Sequence, residues 1–212
     1  MTEFQIPSGR GEAEYDEKRS RFLGYVAHVE SEEEARRFIE EIKRAHYDAR
    51  HNCWCYLIRG GAERYSDDGE PQGTAGIPML EVFRKAEVTD AVCVVTRYFG
   101  GVLLGAGGLL RAYTKAAKDA LDAAGVSRIT KRIVFEMHCP YSMADRLKTY
   151  VCNIGGTVSG VEYGADVCMR VTVSESAAAL FPDQITDFTS GSVSAAVCGE
   201  CFGAEPAGES QS

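Results

Sequence analysis

The runs TVSGVEYG (157–164) and DVCMRVTV (166–173) meet at Gly164-Ala165, with almost nothing between them. Both runs read as strands, and so short a join leaves an antiparallel hairpin as the connection. Upstream, KRIVFEMHC (131–139) is another strand, followed by a helix over 142–154 that Ser142 opens, with Asp145 three residues on. Downstream, a helix over 176–189 leads into a last strand, GSVSAAVCG (191–199). The order strand, helix, strand, strand, helix, strand is the ferredoxin-like arrangement. Residues 130–200 are therefore expected to form an α+β domain of that kind.

The first half is less regular but still punctuated. Strand patterns fall near Gly11–Asp16 and Arg21–Val29. Ser31 and Glu34 then form a capping box, Glu32 and Glu33 suit the positive helix end, and Ala35, Phe38, Ile39 and Ile42 share one face. HNCWCYLIR (51–59) alternates and is aromatic-rich, as a strand is. After the turn-rich SDDGEPQGTAGIP comes a short helix around Met79–Arg84, then a buried strand, AVCVVTRYF (91–99). Gly100–Gly108 reads as a loop, and the helix after it ends near Ala124 with Gly125 as its cap. This defines a first domain over 1–126 and a linker near Gly125–Thr130. GAEPAGESQS (203–212) has too little to bury and is expected to be a disordered tail.

Composition narrows the function classes. A formal net charge of −8 over 212 residues argues against a non-specific nucleic-acid coat but permits a local basic patch. No run reaches the length of a membrane span, and the N-terminus lacks the basic start and apolar run of a secretory signal. A cytoplasmic protein with no membrane partner is the expectation. Its eight cysteines are then expected to be reduced. The pairs Cys53/Cys55 and Cys198/Cys201 fall short of the spacing pattern of a zinc site, and no cofactor is expected.

RYFGGVLLGAGGLLRAY (97–113) fails both nucleotide fingerprints: no Gly-Lys-Ser/Thr closes it, and Leu110 stands where a third glycine would be. Its free amides at a helix start still suit an anion. Arg111, Lys115 and Lys118 share one face of the following helix, where like charges repel and cations oppose the macrodipole. Arg97 adds a fourth cation. Breaking local rules in this way suggests an anion-facing patch; a solvated face, or ion pairs with Asp67, Asp68 and Glu70, is the alternative. Those three acids could hold Mg²⁺, or could simply cap turn amides, which is the commoner arrangement. His51 could be a general base or a hydrogen-bonded strand-end histidine.

KRSRF (18–22), HNCWCY (51–56), SDDGEPQGTAGIPML (66–80) and VVTRYFGGVLLGAGGLLRAY (94–113) together closely resemble the YigZ/IMPACT family over about residues 10–125. The resemblance implies a first domain like domain two of a small-subunit ribosomal protein and domain IV of elongation factor G. It implies a ferredoxin-like second domain, similar to domain V of the same factor. It also implies a role in translation control through RNA or the ribosome, with a translation factor as a further partner, and no established catalysis. Carried over by motif, the surface is Lys18, Arg21, His51, Asp67, Asp68, Glu70, Arg97, Gly100, Gly101, Gly105, Gly107, Gly108 and Arg111, which Lys115 and Lys118 extend. The rival expectation is a Mg-dependent enzyme acting on a phosphorylated small molecule or nucleotide, with Asp67, Asp68 and Glu70 on the metal and His51 as base.

Overall fold

The computed structural model describes residues 3–204. Its elements begin with β1 (Phe4–Pro7), β2 (Gly11–Glu17), β3 (Ser20–His28), α1 (Glu32–Ala45), β4 (His51–Leu57) and β5 (Glu63–Ser66). There follow α2 (Gly76–Lys85), β6 (Ala91–Tyr98), α3 (Ala106–Ala124) and the long β7 (Val126–Cys139). The last are α4 (Tyr141–Asn153), β8 (Thr157–Tyr163), β9 (Val167–Ser174), α5 (Glu175–Ala178), α6 (Phe181–Phe188) and β10 (Ala195–Ala204). These form a mixed α/β chain of two compact units, Phe4–Arg128 and the residues from Ile129 onward. No helix among the described residues is long and apolar enough to cross a membrane.

In the first unit an antiparallel sheet runs β2-β3-β6-β4-β5. Strand alternation divides β6: Val92 and Val94 pack with α1 residues Phe38, Ile39 and Ile42 on one face. Cys93 and Val95 pack with Met79 and Phe83 of α2 and Leu109 and Tyr113 of α3 on the other. The α1 stripe read from sequence is all buried, and Ser31 Oγ caps the Glu34 N–H at 3.2 Å. Contact between α3 and β3 is close because of Gly24, where a Cβ would lie 2.4 Å from the Ala116 carbonyl oxygen.

In the second unit the strands lie in the order β10-β7-β9-β8, antiparallel throughout. Phe135 and Met137 of β7 and Met169 and Val171 of β9 face Leu147 and Val151 of α4 and Phe181 and Ile185 of α6. The alternate residues of β7 and β9 therefore lie on the face without helices.

Four details depart from the sequence reading. Residues 126–130 are strand rather than linker: Ile129 and Thr130 are buried and pair with β10. Gly203 and Ala204, assigned above to the tail, close β10; the rest of that segment lies outside the described residues. The helix over 176–189 is two helices, because Pro182 belongs to a first turn, where its missing N–H is harmless, and not to an interior. Finally, Pro140 rather than Ser142 stands at the cap of α4.

Candidate functional site

The register of the first sheet sets His51, Arg97 and Phe22 in one row across β4, β6 and β3. They share the face that carries α2 and α3, at the end of the sheet where α3 begins. The Arg97 side chain is only 6% exposed, and it meets an equally buried carboxylate, Glu70. Arg97 Nη1 donates to Glu70 Oε1 at 2.6 Å, and Tyr113 OH donates to the same oxygen at 2.8 Å. His51 Nε2 stands 3.9 Å from it. Phe22 and Phe99 each hold their ring centroid 5.4 Å from the guanidinium. Arg97 is thus the partner of a buried acid and not a member of an exposed cationic patch, which realises for this residue the ion-pair alternative of the sequence reading, with Glu70 as the acid.

The acidic turn is equally committed. One carboxylate, Asp67, accepts the backbone N–H groups of Gly73, Ala75 and Gly76 at 2.8, 3.1 and 2.8 Å. Asp68 accepts the Asn52 N–H at 2.7 Å and lies 3.5 Å from Lys43 Nζ. With Glu70 held by Arg97 and Tyr113, the three carboxylates serve three separate sets of donors. The only group of three metal-capable side chains among the described residues lies elsewhere. A Mg²⁺ site on Asp67, Asp68 and Glu70 is therefore set aside, because turn amides hold Asp67, a strand amide and Lys43 hold Asp68, and Arg97 and Tyr113 hold Glu70.

His51 is oriented by the same turn. Its Nδ1 lies 2.7 Å from the Asp68 carbonyl oxygen, which can only accept, so Nδ1 carries the proton. In the neutral ring Nε2 then keeps a lone pair on the side of Glu70. Burial pushes the Tyr113 phenol up, with Cys53 and Glu70 adding to it, and burial pushes the Cys53 thiol up as well. Both stay protonated, as donors to Glu70 and to the Asp67 carbonyl oxygen.

The acidic turn and the glycine loop share one cleft of about 420 Å³. Arg50, His51, Glu70 and Arg97 line it together with Phe99, Leu103, Leu104, Gly105 and Ala106. Gly105 caps α3 at φ 71°, with no side-chain cap and no acid in the first turn, so the first amides and the positive helix end are unneutralised. Gly107 and Gly108 belong to that first turn, and the Arg111 guanidinium reaches back beside Gly107. Gly100 lies against the β2–β3 turn, where a Cβ would overlap Arg19, and its N–H donates to Ser20 Oγ at 3.2 Å. That turn carries Lys18 and Arg19, both exposed, and Gly101 is exposed in the same loop.

The remaining cations divide. Lys115 is bound by Asp119 and Lys118 by Asp122, each one helical turn on, so the inferred repulsive stripe is a row of internal ion pairs. Arg21 is held by Glu14. Arg111 and Arg50 have no carboxylate within ion-pair distance among the described residues. Sequence reasoning missed Arg19, Arg50, Phe99 and Leu103 as members of this surface. Its one available signal was that apolar residues, Phe99 and Leu103, flank the glycines, and the structure leaves them 48% and 83% exposed.

With this geometry described, the comparisons are specific. The Impact N-terminal domain family model matches residues 18–121, and a model described as a domain of unknown function (DUF1949) matches 137–192. IMPACT family member YvyE of Bacillus subtilis is 37% identical over 185 residues, 85% of this chain and 84% of that one. IMPACT family member YigZ of Escherichia coli is 33% identical over 197 residues, 91% of this chain and 97% of that one. A Protein IMPACT homolog of Dictyostelium discoideum is 37% identical over 95 residues, 42% of this chain and 27% of that one. A solved structure titled "Crystal structure of an hypothetical protein" superposes with a TM-score of 0.59 at 32% identity, covering 94% of this chain and 98% of that one.

Proposed function

The chain belongs to the IMPACT family, and from that premise we propose that it is a cytoplasmic regulator of translation that contacts RNA, free or on the ribosome. The contact face is the one where the β2–β3 turn, the loop after β6 and the start of α3 adjoin. One observation carries the reading: the first turn of α3 is uncapped and free of acids, with Arg111 beside it and Arg50 across the cleft. A backbone phosphate suits those amides and cations, and exposed Phe99 offers a face for an unstacked base. The rest of the chain is acidic, so the contact is local and strongly salt-dependent. Lys18 and Arg19 extend it; Lys115 and Lys118 contribute less, being paired.

The test is co-sedimentation with ribosomes and gel shift with structured RNA across a salt series. Binding is expected at low salt, weakened by Arg111→Glu and by Phe99→Ala. Absence of binding to both at low salt overturns the reading.

The cleft itself favours a second reading, a small phosphorylated ligand held at the α3 start with His51 Nε2 as base. Calorimetry with a panel of such compounds separates the two: saturable binding that RNA does not displace favours the ligand.

We also read the chain as two domains, 1–126 and 130–200. The strand order β10-β7-β9-β8 supports a ferredoxin-like second domain. The likeness of the first to domain IV of elongation factor G rests on the motif resemblance.

A further inference from the structure

We propose that the helix-free face of the second sheet binds one divalent transition-metal ion of the zinc class through Glu136, His138 and Cys168. Asp166 sets the tautomer of the histidine, and Arg170 competes with the ion for the Glu136 carboxylate.

The strands create the arrangement. Glu136 and His138 are alternate residues of β7, and His138 is registered with Cys168 of β9. One ligand atom from each of the three, a carboxylate oxygen, an imidazole nitrogen and a sulfur, lies within 4.8 Å of the others. Zinc takes such ligands at about 2.0–2.3 Å in a tetrahedron, which sets ligand separations of roughly 3.3–3.8 Å. Small side-chain rotations close the difference, since none of the three is buried.

The hydrogen bonds leave the right electron pairs free. His138 Nδ1 lies 3.2 and 3.3 Å from the Asp166 carboxylate oxygens, so Nδ1 carries the proton toward Asp166. In the neutral ring Nε2 then offers a lone pair, 3.7 Å from Glu136 Oε1. The second Glu136 oxygen, Oε2, is taken by Arg170 Nε at 3.3 Å, which leaves Oε1 for the site. Two lone pairs thus face each other with a thiol beside them, and a cation satisfies all three. Carboxylate–histidine–metal relays have this geometry, the outer acid fixing the tautomer. Sulfur and imidazole select a zinc-class ion over Mg²⁺ or Ca²⁺. Metal binding displaces the Cys168 proton. Three protein ligands leave one position for water or a partner's side chain.

Cobalt(II) titration of the full chain, freed of metal by chelator, tests the proposal through the thiolate-to-cobalt absorption band. One ion per chain is expected, displaced by zinc and not by magnesium. Cys168→Ser should abolish the band, while a Cys198→Ser, Cys201→Ser variant retains it. Asp166→Asn should weaken binding by about tenfold or more. Arg170→Gln frees the second Glu136 oxygen and should tighten binding, a gain that misfolding cannot mimic. The proposal fails if no saturable band forms, if the band survives Cys168→Ser, if it depends on Cys198 and Cys201, or if Arg170→Gln weakens it.

Discussion

Two acid-rich regions of this chain have opposite fates. In the turn after β5, Asp67, Asp68 and Glu70 are satisfied by amides, a phenol and a buried arginine. On the helix-free face of the second sheet, Glu136 and Glu162 meet only the side chains of His138 and Arg170, and Asp166, in the turn just before β9, reaches the same histidine. The backbone explains the contrast. A turn has unpaired N–H groups that point at nearby carboxylates, whereas the ladder consumes those of β7 and β9. Acids in the turn are absorbed into the fold, and the cleft beside them is left to the cations and the helix start. On the sheet, acids stay available to something from outside.

The largest effect that could break this contrast concerns the arginines. Arg97→Ala strands Glu70 in the interior and should cost about 3–5 kcal/mol. Joint replacement by Arg97→Met and Glu70→Leu should recover most of it in denaturant unfolding. Arg170→Ala on the sheet should lower the unfolding midpoint far less, its partners being solvated. Equal costs would mean that the two acid sets are not different in kind.

Next in size are the acids. Asp67→Ala removes the acceptor of three amides and should cost roughly 2–4 kcal/mol, while Asp166→Ala should stay within about 0.5 kcal/mol. Thermal or urea midpoints distinguish these outcomes. On the cleft side, Arg111→Glu should lower the slope of RNA affinity against salt by about one, and Lys118→Glu by less because Asp122 already holds that lysine.

The smallest effect is a titration. Asp166 holds the His138 imidazolium above its ordinary value of 6.5, with Glu136 assisting. Its folded value therefore exceeds its unfolded one. The stability it contributes is fully present below the unfolded value and is lost as pH rises through the folded value. The His138 midpoint, followed by NMR, should fall in Asp166→Asn; an unchanged midpoint would remove the Asp166 contact from the account.

Periodicity carried most of the fold. The α1 stripe, the buried β6 and the alternation of β9 are legible because burial follows the period of the element. β5 was not legible: it is four largely exposed residues with no apolar face, defined only by pairing with β4. At the site, sequence supplied residues without partners. Arg97 read first as a surface cation, with Glu70 only among its alternative partners, because that acid lies 27 positions earlier, in another element. Lys115 and Lys118 read as a repulsive pair, although Asp119 and Asp122 stand at the helical spacing that neutralises them. The metal donors on β7 and β9 escaped notice because no spacing motif joins strands that meet only through register.

The β2–β3 turn has one further implication. Lys18 and Arg19 both adopt the left-handed backbone region, at φ 46° and 67°, where a two-residue hairpin favours Asn-Gly. A chain optimised for folding alone would carry that pair instead. The tip thus gives separate handles on folding and contact: Lys18→Asn with Arg19→Gly should raise the unfolding midpoint while removing two charges from the face next to Gly100.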